Sequence, residues 1–397
     1  MKKLLLAGAA LTAMTAAAQA ESHMNEVKLG VILGFTGPIE SLTPAMAASA
    51  EFAMQEVTDS GKLLGGAKVT PVRADSTCTD AGAATAAAER LITAEGIKGI
   101  MGADCSGVTS AVLTNVALPN GMVMISPSAT SPALSEIEDD GYFFRTAPSD
   151  ARQGQIIAEI LDRRGIKSAA LTYTNNDYGK GLADSFQQSF EAAGGTVTIA
   201  AAHEDGKADY SSEVAALASA GGDLLVVAGY VDQGGAGIIR GALDTGAFDR
   251  FHLPDGMIGG ALETNFGSEL DGSTGQAPGS DSPGAGQFAK LVEGKIDLSG
   301  PYTGESYDAA ALIMLAMQAA GSTDPNVYKE KVMEVANAPG EKIYPGELGK
   351  ALELIAAGTD IDYVGATAVE LIGPGEAAGS YREIKIEDGK MTTVGYR

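Results

Sequence analysis

Only three histidines, His23, His203 and His252, and two cysteines, Cys78 and Cys105, occur in the 397 residues. The histidines are scattered, and one cysteine pair cannot complete a four-ligand zinc site, so no metal is expected. A Ser–His–acid triad would need His203 or His252, and neither stands beside a serine at a strand end. The sequence contains no G-x-S-x-G elbow, no Walker-type phosphate loop and no H-E-x-x-H. Its first glycine cluster lacks the dinucleotide spacing, and no cofactor is expected. Acids are plentiful, so a hydrolase built on carboxylates stays open as an alternative. Cations are scarce: 27 Lys and Arg stand against 51 Asp and Glu, for a formal charge of −24. That balance argues against nucleic acid and anionic membrane as partners and serves solubility. It also repels a free anion, so an anionic ligand must be held by local dipoles or be a zwitterion.

After the first 20 residues no apolar run reaches the 18 residues that suggest a membrane span. Those first residues read as a secretory leader. Lys2 and Lys3 are the basic part, Leu4 to Ala17 the apolar part, and Ala18-Gln19-Ala20 the cleavage site. An exported chain beginning near Glu21 follows, with a periplasmic location and no lipid-bearing cysteine. In an oxidising compartment a disulfide is the default for the two cysteines. The remaining length suits two cores better than one.

Along the chain, short apolar runs alternate with helical spacing. Strands are expected at Val27 to Leu33, Lys68 to Ala74, Ile97 to Met101 and Met122 to Ile125. Helices are expected between them, near Pro44 to Val57, Ala81 to Glu95 and Val108 to Leu118. This alternation predicts a parallel sheet with helices on both faces. Beyond Pro148 a second series begins, with strands at Ser168 to Tyr173, Thr196 to Ala200 and Leu224 to Ala228. The expected class is α/β, with two Rossmann-like lobes joined by three hinge crossings, near Ala147, Gly279 and Gly365. Residues 21–147 with 280–365 would form one lobe, and 148–279 with 366–397 the other. The stretch Gly272 to Gly286, rich in Gly, Ser and Pro, reads as a connection. Strands near Ala368 to Ile372 and Tyr381 to Ile386 end the chain, with Asp388-Gly389 as a hairpin turn.

One loop stands out. The run Met122 to Ile125 stops in Ser126-Pro127-Ser128-Ala129-Thr130-Ser131-Pro132, dense in hydroxyls and small side chains. Exposed N–H groups and hydroxyls at the carboxyl end of a strand suit a carboxylate or another small anion. A plain Ser/Pro turn is the alternative. The phase of the strands brings this loop to the same sheet edge as Thr36 and Ser106, which favours a site.

The order of several such pieces resembles the periplasmic binding proteins of the branched-chain amino acid class, the two-lobe receptors of ABC importers. The matching pieces are Gly34-Phe35-Thr36-Gly37-Pro38, Asp75-Ser76-Thr77-Cys78, Asp104-Cys105-Ser106 and the loop above. Phe144-Arg145-Thr146, Asp177-Tyr178-Gly179, Gly229-Tyr230, Pro254-Asp255-Gly256, Tyr307-Asp308-Ala309 and Gly379-Ser380-Tyr381 follow in order. The resemblance implies that a ligand's α-carboxylate meets Ser106, the Ser128 backbone, Ala129 and Thr130. It places the α-ammonium on Asp255, helped by Tyr178 and Tyr230, and pairs Cys78 with Cys105. It also implies a monomer that closes on its ligand and docks on a membrane permease. Three departures stand out. Asp255 replaces a frequent Glu, Leu42 falls near a frequent aromatic, and Glu341 to Asp362 is long. A non-amino-acid carboxylate or amide as ligand, and a ligand-sensing receptor domain, are the alternatives.

Overall fold

The computed structural model describes residues 26–397. The leader, its cleavage after Ala20, and His23 lie outside those residues. Five parallel strands open the chain: β1 (Glu26–Leu33), β2 (Lys68–Asp75), β3 (Ile100–Gly102), β4 (Met124–Ser126) and β5 (Phe143–Pro148). β3 and β4 are buried at every residue. Covered on both faces, such strands read as unbroken apolar runs. A second series follows: β6 (Ser168–Thr174), β7 (Thr196–His203), β8 (Leu224–Ala228), β9 (Phe251–Leu253) and β10 (Thr274–Pro278). These also pair in parallel. The two sheets run β2-β1-β3-β4-β5 and β7-β6-β8-β9-β10, the same order twice. A sheet of this order has its switch point between its first and third strands in sequence, where successive loops part and open a crevice. Two such crevices, one per lobe, frame the site.

The chain leaves β5 for helix Asp150–Arg163, which packs on helix Asp177–Ala192 in the second lobe. After β10 it returns, and the buried helix Thr303–Ala320 packs against helix Thr43–Ser60 in the first. β11 (Glu341–Ile343) and β12 (Ile361–Tyr363) then form a small parallel pair around helix Leu348–Ala356. This unit is the long segment noted above. Glu56 ties it to the first lobe by accepting the Tyr307 hydroxyl (2.6 Å) and the Leu348 N–H (2.8 Å). β13 (Leu371–Ile372) and β14 (Glu376–Ala377) extend the first sheet beside β5. β15 (Tyr381–Glu387) and β16 (Lys390–Tyr396) finish the second, antiparallel beside β10. Among the described residues, no helix is long and apolar enough to cross a membrane.

Two expectations are corrected. The third crossing does not fall near Gly365, and 366–397 is not all second lobe, because residues 371–377 pair in the first sheet. The crossing lies between Ala377 and Tyr381. An ion pair between buried Arg145 and half-buried Glu376 (2.5 Å) helps hold β14 on β5, and no local pattern announces it. The stretch Gly272 to Gly286 is also more than a connection, since it contains β10. That strand is masked in sequence because its buried Thr274 and Gln276 are polar. His252 engages the Thr274 hydroxyl from Nδ1 (2.8 Å) and the Gln276 Oε1 from Nε2 (2.6 Å).

Burial pushes the pKa of His252 down to about 4. The unfolded chain protonates it near ~6.5, so the folded form binds fewer protons between these values. Stability is therefore lost as pH falls from about 6.5 toward 4. His252→Gln should remove about 2 kcal/mol of the difference in unfolding free energy between pH 7 and pH 5. Urea titrations at both pH values check this, and equal pH slopes in the two proteins would exclude His252 as the source.

Candidate functional site

The loops after β1, β3 and β4 face those after β6, β8 and β9. In the first lobe the wall is knitted around Asp104, which is buried. Its carboxylate accepts the Gly34 N–H after β1 and the Ser76 hydroxyl after β2 (2.8 Å). Burial raises its pKa and these bonds oppose the rise. A disulfide joins Cys78 to Cys105, the neighbour of Asp104. Ser106, the next residue, opens helix Ser106–Val112 from a fixed base. Its Oγ accepts the N–H groups of Thr130 (3.2 Å) and Ser131 (3.0 Å). With both lone pairs engaged, its own hydrogen remains to be donated.

The loop after β4 is shaped from below by hydroxyls and one cation. Ser126 Oγ accepts the Ala129 N–H (3.0 Å), and Ser128 Oγ donates to the Asp104 carbonyl (3.1 Å). Arg145 is 1% exposed. It donates to the carbonyls of Ala129 (3.0 Å) and Ser131 (2.9 Å), to Ser135 Oγ (2.7 Å) and to Glu376. Arg145 thus fixes the loop's path. The available signal was a cation inside the apolar strand Phe143–Pro148, because a buried charge demands partners.

The second wall is aromatic and acidic. Asn176 caps helix Asp177–Ala192 by accepting the Gly179 N–H (3.0 Å), and its amide donates to the Tyr230 hydroxyl (3.2 Å). Tyr178 and Tyr230 stack with ring centroids 5.3 Å apart. Tyr178 donates to Asp255 Oδ1 (2.8 Å). Tyr302, from the first lobe, donates to Asp255 Oδ2. Burial is the main cause that raises the pKa of both phenols, with the Asp255 charge next, so they stay neutral donors. Gly256 has to be glycine, since a Cβ there would stand 2.6 Å from the Gly229 carbonyl oxygen.

Ser106, Ser128, Tyr178, Tyr230, Asp255 and Leu42 all border one cavity of about 30 Å³ between the lobes. That volume holds about two waters. Ala129 and Thr130 stand behind it, buried in the loop. Sequence reasoning did not place Ile39, Met46, Asp104, Gly256 or Tyr302 in the lining. It also missed Asp150, which takes the Thr130 hydroxyl (2.9 Å). A larger groove of about 930 Å³ lies between helices Ser211–Ala220 and Gly234–Thr245. It borders none of the residues predicted for the site, and the convergence of strand ends favours the smaller cavity. Among the described residues, no cluster of acids, histidines or cysteines could hold a metal.

The lobes meet around the cavity. The Ser41 N–H donates to Asp232 Oδ2 (2.8 Å) and the Asp232 N–H to the Pro38 carbonyl (3.2 Å). Leu42 reaches across so closely that a Cβ on Gly259 would stand 2.7 Å from its Cδ2.

Two doubly wound lobes closing on a shared crevice define a hinged receptor for a small solute. Residues 26–340 match the model of the family described as periplasmic binding protein, and the chain belongs to that family. It is a solute-binding receptor of the extracytoplasmic space. It is 30% identical over 348 residues to "Leu/Ile/Val-binding protein homolog 1" of Brucella melitensis, covering 86% of this chain and 89% of that one. A leucine-, isoleucine-, valine-, threonine- and alanine-binding protein of Pseudomonas aeruginosa is 28% identical, with 81% and 85% covered. Among solved structures, the leucine binding protein LivK of Thermotoga maritima superposes with a TM-score of 0.78 at 22% identity, with 93% and 98% covered. These relatives are substrate-binding proteins.

Proposed function

We propose that the chain binds an amino acid, branched-chain or a related small zwitterion, in the interlobe cleft and delivers it to the permease of an ABC importer. The observation that carries this reading is the environment of Asp255. It is 2% exposed, and among the described residues its carboxylate meets two phenolic hydroxyls and no cation. A buried carboxylate so placed calls for a cation from the ligand through a charge-assisted hydrogen bond. The opposite wall offers the hydroxyl of Ser106, with Ser128 beside it, neutral dipoles that suit the α-carboxylate, while the Ala129 and Thr130 N–H groups are held by Ser126 and Ser106 and shape the loop behind. Tyr178 and Tyr230 flank the ammonium side, and Leu42 with Ile39 and Met46 meets the side chain. The relatives named for leucine, isoleucine and valine support the same ligand class.

No bond is made or broken in this role. Contacts to both walls stabilise closure, and the closed monomer presents one surface to the permease. Export with a leader removed after Ala20 places it in the periplasm. The Asp232 contacts hold the lobes shut, so Asp232→Ala should speed ligand release roughly tenfold, from the loss of a hydrogen bond to a charged group. Stopped-flow dissociation checks this, and an unchanged rate would remove Asp232 from closure.

Titration calorimetry of the exported form tests the ligand class. L-leucine, L-isoleucine, L-valine and L-alanine are compared with benzoate and 4-methylpentanoate. At least one amino acid should give heat and saturate. Tight binding of the plain acids, with no heat from any amino acid, would sink the assignment.

A further inference from the structure

We propose that Glu305 is a proton-operated element of the hinge, neutral while the lobes are shut and ionised when they part, so that acid conditions favour the closed receptor. The consequence for binding rests on the reading of the cleft as an amino-acid site. The consequence for the hinge does not.

Glu305 lies in the first turn of helix Thr303–Ala320, where the three crossings meet. At the first crossing the Thr146 hydroxyl donates to the Glu305 carbonyl (2.8 Å). The second and third are bound to one another. The Gly279 N–H donates to the Ser380 carbonyl (3.0 Å), and the Ser380 hydroxyl donates to the Gly279 carbonyl (2.7 Å). Gly379 of the third packs so closely on Pro148 of the first that no side chain fits there. Glu305 is 4% exposed. It lines two small cavities among these crossings, of about 10 Å³ and about 120 Å³.

Among the described residues no side chain bonds its carboxyl, which meets its own backbone N–H. The crossings themselves bring only neutral residues to the two cavities. The other titratable groups on their walls are Arg382 of β15 and Tyr396 of β16. Arg382 Nη2 donates to the carbonyls of Ser299 (3.3 Å) and Gly300 (3.4 Å) and reaches Glu305 by charge alone. Asp308, one turn along the same helix, is held by Tyr363, Thr367 and the Ala366 N–H.

Burial, with the Asp308 charge in support, raises the Glu305 pKa to about 7 against its own N–H and Arg382. When the lobes turn about the crossings, water entering the cavities returns it toward the ordinary 4.5. The closed form therefore binds the extra proton between these values. Closure is favoured as pH falls from about 7 toward 4.5 and loses that support above 7. An ionised Glu305 also draws Arg382, and with it the loop at Ser299 and Gly300. That loop leads into Tyr302, whose hydroxyl donates to Asp255 across the cleft. A charge at the hinge thus pulls on a contact that closes the site.

Calorimetry with L-leucine, L-isoleucine, L-valine and L-alanine at about pH 8 and about pH 5.5, in two buffers of different ionisation enthalpy, reads affinity and proton uptake together. These ligands stay zwitterions over this range. The wild-type affinity should rise at least about threefold at the lower pH, and about thirtyfold if opening restores the ordinary pKa in full. Near pH 6, roughly 0.5 to 1 proton should be taken up per ligand bound. Glu305→Gln, neutral at every pH, should lose this dependence and bind at the higher pH as tightly as wild type does at the lower. If that variant does not fold, Arg382→Gln, which removes the opposing cation, should move the midpoint to higher pH, and an unmoved midpoint would count against Glu305. Small-angle scattering follows the ligand-free chain, which should contract as pH falls through about 7 in wild type and not respond in Glu305→Gln. The same pH dependence in both proteins, or none in wild type by either measurement, overturns the proposal. If none of these amino acids binds at either pH, the reading of the cleft fails, and scattering decides the hinge by itself.

Discussion

Asp255→Ala should weaken amino-acid binding about a thousandfold, roughly 4 kcal/mol, while leaving the ligand-free protein at least as heat-stable as the wild type. The first part follows from removing the acid that Tyr178 and Tyr302 both engage, which strands the ligand's ammonium against two phenols. The second follows from the same burial. A carboxylate in this position has been taken from water with no cation in return, so its removal relieves a desolvation cost that offsets the acceptor lost to Tyr178 and Tyr302. Asp255→Asn should behave similarly for binding, since it keeps the shape and loses the charge. Calorimetry and thermal unfolding on the same preparations separate the two effects. If binding and melting temperature fell together, Asp255 would be a structural acid and the ammonium would have to sit elsewhere.

Arg145→Ala should show the opposite pattern, with stability and binding both lost. Truncation leaves Glu376 without its partner and strips a donor from the carbonyls of Ala129 and Ser131. Breaking one side of a buried pair costs about 3–5 kcal/mol, expected as a fall of several degrees in the melting temperature. Lysine should not rescue, because a single ammonium cannot reproduce the guanidinium fork over two carbonyls, a serine hydroxyl and a carboxylate. Arg145→Ala with Glu376→Gln should recover part of the stability and none of the binding, because the loop carbonyls remain without a donor. A double variant with wild-type affinity would show that the loop holds its path unaided.

These two residues also mark how far the sequence could be read. The lobes were legible because β3, β4 and β8 are buried throughout and stand out as short apolar runs. Their alternation with helices places every loop at a known edge, which is how Ser106 and Ser128 could be brought together before any contact was known. β10 escaped because its polar Thr274 and Gln276 pair with His252 across the sheet, a compensation between separate strands. The last crossing escaped for a similar reason. β14 is two residues long, and its place depends on Glu376 finding Arg145 far back in the chain. Asp150 looks from sequence like an ordinary acid in the first turn of a helix, a common position for the helix dipole. Its contact with Thr130 depends on the loop after β4 and has no local signal. Tyr302 precedes helix Thr303–Ala320 in a left-handed conformation, and nothing local tells that its hydroxyl reaches the other lobe.

That phenol gives the receptor an internal competitor. Tyr302 caps Asp255, so on the proposed reading a ligand's ammonium competes for a carboxylate that the chain already engages. The affinity that an experiment reads is then the intrinsic affinity scaled by the fraction of molecules in which the cap is off. Donors weaker than a charged ammonium, such as hydroxyls or water, gain little by exchanging with a phenol of similar strength. If Asp255 receives the ligand, the cap would act as a threshold filter, tuned to the strength of the incoming donor and indifferent to the rest of the solute.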